Sequence, residues 1–199
     1  MAEPNWAAWI DFEARLGATP AKVQVRGMFL QLLVQSLAPE LAARHETRRY
    51  VAFKNYPMRE YIELLALGCA SSSARKPPAE RVRELGFMVY PNYAATMTGM
   101  AIFAVAGHDF RRVLELCPAA YRIATEDATV TIRSIEDGHA LIELRNLWNL
   151  PDLHQVGIFE GAMKVCRAVG KVGVRAYTFG DADLEISWSP DPSAARPAR

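Results

Sequence analysis

The stretch ATVTIRSIEDGHALIELR, residues 128–145, decides the fold because its apolar residues alternate with polar ones. Val130 and Ile132 precede an Asp137-Gly138 pair, and apolar residues recur at every second position after it. A period of two residues is typical of a strand with one buried face. Because glycine accepts the positive φ angle that a tight turn requires, this stretch predicts a β-hairpin.

A second hairpin is predicted for VGVRAYTFGDADLEISW, residues 172–188, with its turn near residue 180. A helix is expected between the two hairpins. Asp152 and Gln155 have the spacing of its capping box, and Gly170 suits the position that follows its last turn. We therefore predict that one helix lies on a four-stranded, mainly antiparallel sheet.

The chain before residue 128 is predicted to be helical. Thr19 followed by Pro20 has the residue types of a helix start, and Asp109 is suited to an N-cap. Pro91 and Pro118 are expected to end helices, because proline lacks a backbone N–H and its ring collides with the preceding turn. The predicted fold class is α+β, an N-terminal helical cluster followed by hairpin, helix and hairpin. The predicted helices cover residues 5–16, 19–37, 55–69, 80–90, 93–106 and 109–118.

The length of 199 residues suits one domain with a single sizeable core. We expect a covering segment at residues 1–18, the domain at 19–189 and a frayed tail at 190–199, which is rich in proline, alanine and arginine. The uncharged run 85–107 is long enough to be weighed as a membrane span. Glycine, proline and polar residues interrupt it, so core helices are expected there instead.

Charge and cysteine content exclude several classes of protein. The net charge of +1 gives no electrostatic case for a nucleic-acid partner, and the basic run 40–55 is interpreted as a solvated loop. Three cysteines without a C-x-x-C pair argue against a disulfide framework and a zinc ribbon. Because Glu3 stands where a secretory signal carries basic residues, we predict a cytoplasmic protein without a membrane span.

Residues 93–103 place hydroxyl groups among methyl and aromatic groups, a pattern that suits the wall of a lipophilic cavity, although a close-packed core helix is the ordinary interpretation. An arginine near a helix start can clamp a carboxylate or phosphate, although a surface ion pair is the ordinary interpretation. A cysteine near a helix end can be accessible to a ligand or to modification. The candidate ligand-binding residues are Tyr93, Thr96, Met97, Met100, Phe103, Arg59 and Cys69.

Trp6, Trp9 and Phe12 share one face of the first predicted helix. This face either docks on the body of the domain or forms a contact with a second copy of the chain. A homodimer or another protein partner is therefore an expectation.

The sequence lacks the common motifs of catalytic sites. The sequence contains no phosphate-binding loop, no G-x-G-x-x-G after a strand and no G-x-S-x-G elbow. No histidines are spaced as metal ligands, so no metal site is expected. His108 beside Asp109 is a candidate base and orienter, and it requires a shared cleft. We predict that the protein is not an enzyme.

Five segments together resemble a paralogous family of proteins of unknown function, of about this length, that is expanded in myxobacteria. The likeness spans most of residues 20–190 and implies a fold rather than an activity. The segments are VRGMFL at 25–30, NYPMREY at 55–61, AGHD at 106–109, CPAAYR at 117–122 and GIFEG at 157–161.

The order of elements is also similar to a wider ligand-binding superfamily of haem-based nitric-oxide sensors, 4-vinyl reductase-type domains and TRAPP-type trafficking subunits. This resemblance implies a hydrophobic cavity between helices and sheet, or a dimer surface. Glycines at 157 and 161 are expected to let their helix sit close on the sheet. The haem sensors carry a proximal histidine where this chain has Phe110, Val113 and Leu114, and their Y-x-S-x-R motif is missing. We therefore expect no haem.

The sequence as a whole predicts a non-enzymatic sensor or signalling adaptor with a hydrophobic small molecule bound between helices and sheet. The alternative is a protein-protein interaction module with a solid core and a dimer or partner surface. A cavity too small for more than a water would decide for the alternative.

Overall fold

A computed structural model describes residues 10–37, 49–70, 76–97, 99–100, 103, 107–125 and 127–193. The helices described are α1 (Phe12–Ala18), α2 (Gly27–Ser36), α3 (Met58–Ala70), α4 (Pro78–Ala94), α5 (Phe110–Ala124) and α6 (His154–Val165). The strands described are β1 (Gln24–Arg26), β2 (Asn55–Pro57), β3 (Thr129–Glu136), β4 (His139–Arg145), β5 (Ala168–Ala176) and β6 (Ala182–Pro190).

The four-stranded sheet has the order β3-β4-β6-β5, with every neighbouring pair antiparallel. In its centre, Ile142 of β4 is paired with Ile132 of β3 and with Leu184 of β6. Gly138 turns the first hairpin with φ +78°. The inner face of the sheet forms one buried cluster with Phe159 of α6, so the predicted α+β arrangement is confirmed.

Helix α6 also packs against α4, backbone on backbone. A methyl group at Gly157 would lie 1.9 Å from the Arg83 carbonyl oxygen, and one at Gly161 would lie 2.2 Å from that of Phe87. The two glycines therefore allow the backbone of α4 to lie directly against α6. The expectation that they face the sheet is wrong, because the sheet is contacted by the larger apolar side chains of α6.

The predicted helix over 19–37 is wrong in its first part. Val25 of β1 pairs with Tyr56 of β2 in a short antiparallel sheet, and both side chains are buried. The helix begins only at Gly27, where an added methyl group would lie 2.2 Å from the carbonyl oxygen of Val51. This glycine marks a close approach of two backbone segments.

Two prolines do not end their helices. Pro91 lies inside α4 and Pro118 inside α5. A proline inside a helix costs about 3 kcal/mol in helix stability. In α4 and α5 tertiary packing offsets this cost, because Val89 near Pro91 and Cys117 next to Pro118 are buried. The Asp109 side chain accepts from the Arg111 N–H at 2.9 Å, so the N-cap of α5 is confirmed.

The proposed capping box of α6 is also wrong. Asp152 instead forms an ion pair with Arg15 of α1 at 2.6 Å, which ties the first described helix to the start of α6. The N-cap residue Leu153 has no side-chain hydrogen bond to the helix. Gly170 lies within β5, since α6 ends at Val165.

No helix in the described part of the chain combines the length and the apolar character needed to cross a membrane.

Candidate functional site

A cavity of about 170 Å³ lies where helices α2 to α6 converge. This volume is several times the roughly 30 Å³ that one water molecule occupies in the liquid. The wall is mostly aromatic and aliphatic, and no charged side chain from the described residues contributes to it. It is lined by Val25, Met28, Phe29, Tyr61, Val89, Tyr90, Tyr93, Cys117, Ala120, Tyr121, Ile123, Ala124, Thr125, Leu147, Asn149, Gln155, Ile158 and Phe159.

The cavity lies between helices and not against the four-stranded sheet. Its lining takes no residue from β3 to β6, and only Leu147 and Asn149 come from the segment that follows β4. The expected position between helices and sheet therefore differs from the one observed. Ile123 in the lining is 64% exposed, so the cavity reaches the surface near the C-terminal end of α5.

A chain of buried hydrogen bonds forms one polar side of the cavity. The Tyr121 hydroxyl donates to Oε1 of Gln155, and Nε2 of Gln155 donates to Oδ1 of Asn149 at 2.8 Å. Gln155 is fully buried, which explains its hydrogen bonding to side chains from two other segments. Burial raises the pKa of Tyr121 well above its usual value, so its phenol stays neutral.

Thr125 supplies a polar group without a partner. Thr125 is one of the residues that line the cavity and is 4% exposed, and its buried hydroxyl oxygen makes no hydrogen bond within the described residues. The backbone at Thr125 is extended and bridges to Val25 of β1. An unsatisfied buried hydroxyl costs about 1–3 kcal/mol, so a group in the cavity that bonds to it would recover this free energy.

Tyr61 and His154 form a second buried polar contact behind the cavity wall. The Tyr61 hydroxyl lies 3.3 Å from Nε2 of His154, and burial raises the tyrosine pKa. Burial also lowers the pKa of His154 to about 3. The imidazole is therefore neutral at physiological pH, and this side of the cavity carries no charge.

Most residues of the predicted ligand segment lie outside this cavity. Tyr93 lines it, but Met97 and Met100 are 85% and 55% exposed and do not. The Thr96 hydroxyl donates to the Tyr93 carbonyl oxygen at 2.7 Å. Phe103 packs edge-on against Tyr90 and stacks over an exposed histidine. The structure therefore does not surround a cavity with this segment, because α4 continues to Ala94 and the chain turns after it.

The other candidate residues are dispersed. The Arg59 guanidinium donates to the Thr19 carbonyl oxygen at 2.8 Å. The Cys69 thiol donates to the Pro78 carbonyl oxygen at 3.6 Å, and burial raises its pKa to about 11. Phe12 is half-buried against the helical cluster. Neither Arg59 nor Cys69 lines the cavity, and Trp6 and Trp9 lie outside the described residues.

His108 and Asp109 do not form a catalytic pair in a cleft. Both are exposed, Asp109 caps α5, and Nδ1 of His108 lies 3.0 Å from the Val165 carbonyl oxygen. Within the described ranges, no three potential metal ligands of the histidine, cysteine and carboxylate types lie together.

The family model for DUF2378, described as a protein of unknown function, matches residues 19–189. The chain belongs to the DUF2378 family. This confirms the resemblance to a family of unknown function that the sequence motifs indicate. Among curated proteins, none matches this DUF2378 sequence.

Solved structures of H-NOX proteins share the fold of this DUF2378 chain. An Fe(II) unliganded H-NOX variant from K. algicida has a TM-score of 0.62 at 9% identity, over 85% of this chain and 99% of that one. An H-NOX protein from S. oneidensis in the Fe(II)NO state has a TM-score of 0.62 at 13% identity, over 82% of this chain and 99% of that one. At these identities the likeness shows a common fold.

The residues around the cavity do not fit a haem. The volume of about 170 Å³ is below the roughly 300 Å³ at which pockets for drug-sized ligands begin, and a haem is larger than those ligands. Among the residues that the structure describes, no histidine lines the cavity, although histidine is the usual axial ligand. Its cysteine, Cys117, donates its thiol proton to the Val113 carbonyl oxygen at 3.3 Å, and burial raises its pKa to about 12. A thiolate ligand is therefore disfavoured as well.

Proposed function

We propose that this DUF2378 protein is a non-enzymatic cytoplasmic sensor or signalling adaptor that binds a hydrophobic small molecule in the cavity between its helices. The observation that carries the proposal is the uncharged cavity of about 170 Å³, which is too large for a single water and is walled by aromatic side chains. The H-NOX-like fold supports a sensing role, because fold and cavity together offer a buried site within a small domain.

The polar groups of the cavity support binding rather than catalysis. Tyr121 and Gln155 are engaged in a fixed hydrogen-bond chain, and the phenol of Tyr121 stays protonated. Burial keeps the Cys117 thiol neutral, so this cysteine of the wall is not an activated nucleophile. These groups surround a bound molecule without attacking it.

Xenon provides a direct probe of the cavity, since apolar protein cavities bind it. We expect a ¹²⁹Xe chemical shift that saturates with the wild-type protein. Ala124→Met should abolish this response because residue 124 is buried in the cavity wall, whereas Ala119→Met, on the exposed face of the same helix, should keep it. Equal responses from both variants would place the xenon elsewhere and refute the cavity.

Native mass spectrometry then tests for a natural occupant. The purified wild-type protein should carry a small mass that disappears on denaturation and is missing from Ala124→Met. The same spectra report the oligomeric state.

The alternative function, an interaction module, has one observation in its favour. Val51, Phe53 and Ile123 are exposed apolar residues, and Arg26 joins two of their segments by donating to the Phe53 and Ile123 carbonyl oxygens at 3.0 and 3.4 Å. A concentration-dependent dimer that is lost with Phe53→Ser, in a protein that carries no small mass, would favour this alternative.

A further inference from the structure

We propose that the cavity takes a compact, uncharged molecule, of the size of one aromatic ring with a short substituent, whose single hydroxyl or carbonyl group bonds to the Thr125 hydroxyl once that buried side chain turns about χ1 toward the space. This inference rests on the proposed function and adds the chemical class of the ligand. It follows from three properties of the site: volume, charge and one unsatisfied polar group.

The volume sets the size of the ligand. An engineered protein cavity of about 150 Å³ lined by apolar side chains binds benzene. The cavity in this chain is about 170 Å³, which leaves space for a ring and a short substituent. A longer molecule would have to pass Ile123, where the cavity reaches the surface.

The wall excludes charged ligands. Its polar side chains are tyrosines, one threonine, one asparagine and one glutamine, and no basic or acidic residue of the described chain lines the space. A carboxylate or an ammonium group would lose its hydration without gaining an opposite charge, at a cost of many kcal/mol. Burial also raises the pKa of Tyr90 and Tyr121, which keeps these neighbours neutral.

Thr125 identifies where the polar group of the ligand belongs. The Tyr121, Gln155 and Asn149 side chains already bond to one another, whereas the Thr125 hydroxyl is buried without a partner in the described chain. A hydroxyl can both donate and accept, so an alcohol, a phenol or a carbonyl oxygen satisfies it. A ligand without such a group would leave the Thr125 hydroxyl without a hydrogen-bond partner.

Three probes of matched shape test the proposal: toluene, benzyl alcohol and benzoate, each titrated at neutral pH and followed by ¹H–¹⁵N correlation spectra. We expect toluene and benzyl alcohol to bind and benzoate to fail. Thr125→Val should weaken benzyl alcohol about two- to tenfold and leave toluene unchanged, because a valine keeps the shape and the extended backbone but removes one hydrogen bond. Thr125→Ser should retain the affinity for benzyl alcohol.

Thr131→Val, an exposed substitution in β3, is the control and should bind all three probes like the wild type. Benzoate binding as tightly as benzyl alcohol, or an equal effect of Thr125→Val on both neutral probes, would overturn the proposal. Failure of both neutral probes in a protein that binds xenon overturns the ligand class and leaves the proposed function standing. Failure of xenon as well removes both.

Discussion

Substituting Gly157 by alanine tests whether the contact between α4 and α6 is as close as described. The new methyl group would lie 1.9 Å from the Arg83 carbonyl oxygen and 2.8 Å from the Phe87 nitrogen, whereas ordinary contact begins near 3.4 Å. Both neighbours are backbone atoms of a helix and cannot rotate away. The two helices must therefore move apart by more than about 1 Å.

The expected net effect is a loss of about 2 kcal/mol in the free energy of unfolding. Overpacking a tight contact costs typically 1–3 kcal/mol, and more where backbone must move, while alanine returns up to about 1 kcal/mol through its higher helix propensity. Urea denaturation followed by far-UV circular dichroism measures the difference.

A matched control is available in α1. A methyl group at Gly17 would meet no atom within 4 Å, so Gly17→Ala should leave stability unchanged or raise it by up to about 1 kcal/mol. Gly161→Ala, whose methyl group would lie 2.2 Å from the Phe87 carbonyl oxygen, should destabilise as Gly157→Ala does. If Gly157→Ala proves as stable as Gly17→Ala, the helices are not in backbone contact and the reasoning fails.

Three further predictions concern buried polar groups. Asp152→Ala should lower the free energy of unfolding by about 3 kcal/mol, because it leaves Arg15 buried and without its carboxylate partner. The double variant Arg15→Met with Asp152→Leu should stay near the wild-type stability. Equal losses in the single and double variants would contradict this prediction. Because burial lowers the pKa of His154 from 6.5 to about 3, the free energy of unfolding should fall as the pH is lowered from 6.5 toward 3. Urea titrations should show a slope of up to about 1.4 kcal/mol per pH unit. His154→Phe should flatten this slope, whereas His139→Gln, at a half-buried histidine, should not. Iodoacetamide at pH 8 should label Cys69 before the two buried cysteines, as peptide mass mapping would show, and early labelling of the latter would contradict their burial.

The two hairpins could be predicted because their signals are local. Alternation around Asp137-Gly138 needs only neighbouring residues, and the strands form where the pattern places them. Strand β1 could not be predicted in this way, since its three residues pair with Tyr56 and its neighbours some thirty positions later. Pro91 and Pro118 mislead for the same reason, because packing from distant segments decides whether a helix continues past a proline.

The cavity was largely beyond sequence reasoning. Its wall combines residues from β1, five helices and the segment after β4, so no single stretch carries its pattern. Of the candidate ligand residues, Tyr93 alone belongs to the wall. The spacing of Gln155 from Asp152 fits a helix cap, yet its amide bonds to Tyr121 and Asn149 on one side of the cavity. Such a role depends on burial, which spacing does not reveal.

The close backbone contact between α4 and α6 fixes these two helices against each other, whereas α5 is held mainly by its packing on the sheet. Helix α5 touches α6 far less extensively than α4 does, and its C-terminal end is tethered through Arg26. A ligand larger than the cavity would therefore displace α5 outward and leave α4 and α6 in place. Because α5 leads into β3, which is an edge strand, such a displacement would be transmitted to the rim of the sheet without breaking its interior pairing.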